Sequence, residues 1–225
     1  MALAPTKEPG TKKLSLQIYE LLKKDIVECR LEPGQLLEEA SISERYEIGR
    51  TPFREACQRL EAEGLVEIVP HRGAFAASFS YEDISDLFEL RMIVEPAVAE
   101  LACQRSSGSG LEELDENIKE WERMTKAIVP ALVPQINWNS KNFHLGVARL
   151  TRNKQLIDTI ERIHDRLMRI IIFATRRSLQ TTYAFNILHP EILDAIRRGN
   201  TVGARDLMTK DIERAWEWVR DYGRK

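Results

Sequence analysis

A chain of 225 residues with 33 Lys and Arg against 35 Asp and Glu is long enough for a full core and lies between one large domain and two modest ones. Its net charge of -2 excludes any argument for nucleic acid from bulk charge, and neither half is basic: residues 1–79 hold 11 basic against 13 acidic side chains, leaving 22 of each. The longest apolar runs, such as IIIFA, fall far short of the roughly 20 residues a bilayer span needs, and MALAPTKEPGTKK has no apolar stretch of signal-peptide length, so a cytoplasmic protein without a membrane partner is expected.

After an irregular start, Ile18, Leu21, Leu22, Ile26 and Cys29 recur at helical spacing, and LEPG then breaks the helix. A short second helix fits Glu38 to Tyr46. Gly49 and Arg50 mark the entry to a third, with Pro52 in a first-turn position that tolerates its missing N–H. From Leu65 the pattern changes: LVEIV alternates, PHRG turns, and AFAASF returns in β-compatible residues. Helix, helix, helix, hairpin is the order of a winged helix-turn-helix, expected over residues 1–79. Cys29, Cys57 and Cys103 are odd in number and sit in helical patterns, which suits buried, reduced thiols.

On the third helix Phe53, Ala56, Cys57 and Leu60 define an inward face, while Arg50, Arg54 and Gln58 align at i, i+4, i+8 on another. Arg presents paired donors to guanine edges and Gln to adenine, and a helix of this width fits the major groove. An isolated helix with this pattern would serve solubility; the second helix before it and the wing after it favour base readout.

Residues 80–225 read as an all-α bundle of about six helices. Ser80 with Asp83 forms a capping box for a helix running to Arg105, which SSGSG ends. Further helices fit Leu111 to Ile128, Gln135 to Leu150, Lys154 to Ser178, Ile187 to Arg198, and Thr201 to Tyr222, with Pro130 and Pro134 breaking the chain between the first two of these. The chain is thus expected to be mainly α: an N-terminal winged helix-turn-helix and a C-terminal all-helical bundle. Several polar residues fall on apolar stripes: Arg91 and Glu95 after Ser80, Ser140 and His144 beside Phe143 and Val147, Asp211 among Leu207, Met208 and Ala215, and His189 before PEILDAI. Charges on a core face need partners. Arg91 and Glu95 either pair with each other at the stripe edge or face a ligand, and His164 reads as a core residue.

The stretches LEPGQLLEE, RTPFREACQRLEAEGLV and HRGAFAA resemble the GntR family of bacterial winged-helix transcription regulators. The resemblance implies double-stranded operator DNA as partner, Arg50 and Arg54 reading bases or phosphates, Thr51 holding the backbone, and the wing tip at His71, Arg72 and Gly73 entering the minor groove. The turn departs from the family's Gly-Val-Ser: it reads EIG, with Glu47 at the Gly position and Gly49 where a Ser would cap the helix.

LFELRMIVEPAVAELA, NFHLGVARLTRNKQL and HPEILDAIRRGNTVGARDLM resemble FCD, the all-helical effector domain of the family's fatty-acid-regulator-like branch. In many members of that branch an Asp and three His bind a divalent metal on the floor of the effector cavity. Here Ser140 stands at the Asp position, Asp211 at the last His position, and His144 and His189 match. His144, His189 and Asp211 are able to hold Zn²⁺, Ni²⁺ or Mn²⁺; without a metal, Arg91, Glu95, Ser140, His144 and His189 would hydrogen-bond an organic acid directly. Pro190 bears on this set, because a residue before Pro is steered away from the α region. The reading is a homodimeric regulator that binds a palindromic operator and responds to a small carboxylate-bearing metabolite. The alternative is a metal-dependent enzyme acting on a small organic acid, which would show turnover lost in His144→Ala.

Overall fold

The computed structural model describes residues 9–45, 49–106, 108–126, 133–175 and 188–222. The first helix, α1 (Pro9–Val27), buries Ile18, Tyr19, Leu22 and Ile26. It packs on α3 (Arg50–Ala62), whose buried residues include Phe53, Ala56, Cys57 and Leu60, the inward face expected from the spacing. Between them α2 (Glu39–Arg45) contributes Ile42. Gly49 precedes α3 in extended backbone with no side-chain cap bond, since it has no hydroxyl to offer. The rest of the turn, Tyr46, Glu47 and Ile48, lies outside the described residues.

The wing is an antiparallel pair, β1 (Val66–Val69) and β2 (Gly73–Ala76), in register from Val66 opposite Ala76 to Val69 opposite Gly73. Its tip needs left-handed backbone, with His71 at φ 61° and Gly73 at φ 112°. The LEPG segment does more than stop α1. Leu36 bridges Phe75, Leu37 N–H donates to Ala74 at 2.8 Å, and Ala76 N–H donates to Gln35 at 2.8 Å, so this stretch pairs with β2. Periodicity could not show it, because a single bridging residue leaves no alternation to read.

Cys57 is buried, and burial, with Glu39 and Glu61 adding, pushes its thiol up to about 12. At pH 8 only about one molecule in ten thousand would then carry the reactive thiolate. Iodoacetamide should therefore leave Cys57 unmodified in the native protein and label it after unfolding, as peptide mass would show. Native labelling within minutes would contradict this packing.

Six helices follow in the described residues: α4 (Tyr81–Arg105), α5 (Gly108–Lys126), α6 (Val133–Leu150), α7 (Lys154–Thr175), α8 (His189–Arg197) and α9 (Thr201–Tyr222). The chain divides by its contacts into residues 1–79 and 80–225. Ser80 caps α4 as its spacing with Asp83 predicts: its hydroxyl accepts from Asp83 N–H at 3.1 Å, and its own N–H donates to Asp83 Oδ2 at 2.7 Å. Two boundaries differ from the sequence expectation. The helix α5 starts at Gly108, inside SSGSG, and α6 starts at Val133, so Pro134 sits in a first turn, where its missing N–H costs nothing, and opens the helix. Residues 127–128, Pro130, residues 176–178 and Ile187 lie outside the described residues.

The long α4 runs against α9 and also touches α6, α7 and α8, while α5 lies on α6 and α6 on α7. Arg205 reaches Glu100 at 2.8 Å from α9 to α4, and Arg197 reaches Asp115 at 2.6 Å from α8 to α5. Phe143, Ile160, Ile192, Ala204 and Ile212 are almost fully buried. Among them, equally buried, lie Arg91, Glu95, Lys141, His144, His164, Asp165, His189 and Asp211.

Candidate functional site

The helical period aims these polar groups at one interior. Arg91 and Glu95 are one turn apart on α4; Asn137, Ser140, Lys141 and His144 recur at i, i+3, i+4, i+7 on α6; His164, Leu167, Met168 and Ile171 do so on α7. From α9 come Asp211, Ala215, Trp218 and Val219. With Arg91, these residues of α6, α7 and α9 line a cavity of about 30 Å³, room for about one water molecule. Of the residues expected to meet an effector, Arg91, Ser140 and His144 line this cavity, whereas Glu95 and His189 are not among its lining residues.

Glu95 is instead a hub. Its Oε1 accepts from Arg91 Nε at 2.5 Å and lies 3.2 Å from His164 Nε2, and its Oε2 lies 2.6 Å from His144 Nδ1. This last contact is close but poorly aligned as a hydrogen bond. His144 Nε2 lies 3.5 Å from Asp211 Oδ2. Asp211 Oδ1 is 3.8 Å from His189 Nε2, and both of these atoms are buried without a hydrogen bond. Pro190 occupies the first turn of α8 and does not carry His189 away: the imidazole is 1% exposed and stacks on Phe143 at 3.9 Å.

The cluster has a definite charge pattern. Burial raises Glu95, but the Arg91 guanidinium, then His144 and His164, outweigh burial and hold its carboxyl well below the usual range. Burial pushes His164 down to about 4, with Glu95 opposing. It also holds His189 well below its ordinary value, and His144 and His164 add to that. Burial pushes Asp211 up to about 6, against the pull of His144 and Arg91. At neutral pH the interior thus holds an ionised Glu95, an Asp211 largely ionised, and two neutral imidazoles. Arg91 pairs with Glu95 and Lys141 with Asp165, whereas Asp211 faces only imidazoles at ion-pair distance among the described residues. His144, His189 and Asp211 lie close enough to share one cation, as do Glu95, His144 and His164.

In the N-terminal unit Arg50, Thr51, Arg54 and Gln58 are exposed on α3, and His71, Arg72 and Gly73 are exposed at the wing tip. The Arg50 and Arg54 side chains are 84% and 68% accessible. Three residues of these sites escaped the sequence reading. His164 read as core, Lys141 drew no notice, and Glu39 of α2 lies against both arginines. Each acts through a partner on another helix, which no single-helix pattern displays.

Residues 86–214 match the FCD domain family, and residues 14–76 match the family described as bacterial regulatory proteins, gntR family. The chain therefore belongs to the GntR family of DNA-binding transcription regulators, in the group that carries an FCD domain. It is 27% identical to the HTH-type transcriptional repressor RspR of Escherichia coli K12 over 93% of this chain and 90% of that one. It is 29% identical to the Uxu operon regulator of Haemophilus influenzae over 88% of this chain and 78% of that one. The solved structure of E. coli McbR/YncC superposes with a TM-score of 0.79 at 18% identity, over 92% of this chain and 97% of that one; at that identity the likeness speaks for the fold alone. No helix among the described residues is long and apolar enough to cross a membrane.

Proposed function

We propose that the protein is a ligand-responsive regulator that binds a palindromic operator as a homodimer, through Arg50, Thr51, Arg54 and Gln58 in the major groove and His71, Arg72 and Gly73 at the wing. The observation that carries the reading is the exposed Arg50–Arg54–Gln58 stripe opposite a fully buried apolar face on the same helix. A single recognition helix reads only a few base pairs, so a second copy on a second half-site supplies the specificity.

The helical unit is the sensor. Its donors fit a divalent cation: two imidazoles and a carboxylate converge, and His189 Nε2 and Asp211 Oδ1 are buried without hydrogen bonds. His144, His189 and Asp211 would hold the ion, with Ser140 at the remaining family position. A divalent ion there supplies a positive centre for an anionic effector. Glu95 keeps Arg91 and His144 oriented, and Arg91 Nη1, buried without a hydrogen bond, offers a donor to a carboxylate. The cavity is small, about 30 Å³, and side chains of α7 and α9, among them Leu167, Met168 and Trp218, line it, so an organic acid bound there bears on their packing. Occupancy is thereby coupled to the packing of α7 and α9, as allosteric control requires.

Zinc at 100 times its Kd should stabilise the protein by about 2.7 kcal/mol, seen as a rise in melting temperature, and Asp211→Asn should lose most of that rise. Equal zinc affinity in both proteins, measured by competition with a chelating dye, would remove Asp211 from the site. Small carboxylates should then shift binding to an operator duplex selected from a random library; indifference to all of them would count against the sensor.

A further inference from the structure

Glu39 is the first residue of α2 and sets a carboxylate between the two arginines of the reading stripe. Its Oε1 lies 3.5 Å from Arg50 Nε and its Oε2 lies 3.7 Å from Arg54 Nη2. Both distances exceed good hydrogen bonds, so the contacts are ion pairs. Pairs this exposed add little to stability, and the two guanidinium groups, one turn apart on α3, repel each other. A carboxylate suits the first turn of α2, but that does not account for its position against both readers.

We propose that Glu39 is a specificity-determining residue: its negative charge penalises the use of Arg50 and Arg54 on phosphates and leaves their donors free for neutral base edges. The inference rests on α3 being the DNA-contacting helix. Binding to unselected DNA comes almost wholly from neutralising phosphates. A phosphate that approaches either guanidinium also approaches the negative charge of Glu39, in a unit whose basic residues do not outnumber its acidic ones. The O6 and N7 acceptors of guanine are neutral, so the same carboxylate opposes them far less. Arg50 meets Glu39 through Nε, which leaves its two terminal nitrogens for a paired contact with one base. Discrimination of this kind works through a repulsive element aimed at the wrong partner.

The test compares Glu39→Gln, nearly the same shape without the charge, with wild type on two duplexes of equal length: one selected by the wild-type protein from a random library, and a scrambled version of it. Affinities are measured over a range of salt concentrations. Glu39→Gln should bind the scrambled duplex about fivefold or more tighter, with a log affinity against log salt slope steeper by about 0.9, the value for one further phosphate. Affinity for the selected duplex should change by less than about twofold, because a neutral base edge gains little from the lost charge. Glu39→Asp, which keeps the charge, should retain the weak scrambled binding. An unchanged ratio and slope, or equal losses on both duplexes with a lower melting temperature, would overturn the inference. Arg54→Ala separates the two levels. If it leaves selected binding intact, the reading of α3 fails; if it loses that binding while Glu39→Gln leaves the ratio unchanged, the role of Glu39 alone fails.

Discussion

Replacing Arg54 by Ala should weaken binding to a selected operator duplex by about 1–3 kcal/mol, a factor of about 5 to 150, and Arg50→Ala should do the same. Both side chains are highly exposed, and Ala is a good helix residue, so the melting temperature should hardly move. The two losses should not add simply, because the arginines share Glu39. The double variant is expected to bind operator and scrambled duplexes with nearly equal affinity. Fluorescence polarisation of labelled duplexes reads this directly. Unchanged operator affinity in both single variants would show that another surface reads the DNA.

Replacing Glu95 by Ala should destabilise the helical unit by about 3–5 kcal/mol, the usual cost of removing one partner from a buried ion pair. The loss strands the Arg91 guanidinium, 1% exposed, and takes a neighbour from both His144 and His164. Denaturation of the full chain, followed through the tryptophans, all four of which lie beyond residue 79, would report it. Replacing both Arg91 and Glu95 by apolar residues of similar volume should recover much of the stability, because no buried charge is then left uncompensated. A change below about 1 kcal/mol for Glu95→Ala would mean that water reaches the cluster and that the interior is less dry than its burial implies. The double variant should also lose any response to carboxylates, which separates the stabilising part of the pair from its part in sensing.

Much of this molecule could be read along the chain. The faces of α3 followed from a period of 3.6, the wing from an alternation around PHRG, and the cap of α4 from Ser80 and Asp83, because in each case the interacting residues are close in sequence. The same logic put Arg91, His144, His189 and Asp211 on inward stripes. It failed where the signal was not local. The one His in ERIHDRL has no ionic partner within its own helix, and Glu95, which it meets, is 69 positions away. Lys141 meets Asp165 24 positions away, and nothing in NSKNFH marks that lysine as buried. Pro134 and the glycines of SSGSG read as helix breakers, but each falls in the first turn of a helix, where a proline's missing N–H costs no hydrogen bond and a glycine interrupts no helix interior.

Side-chain spacing along single helices and strands set which elements form, which face of each turns inward, and that polar residues stand on several of those faces. Which of those polar groups meet came from the packing of one helix on another. It made Glu95 the shared partner of Arg91, His144 and His164, left Asp211 facing imidazoles, and set Glu39 against two arginines. These pairings depend on the angle and register at which helices pack, and those are fixed by the fit of many side chains at once.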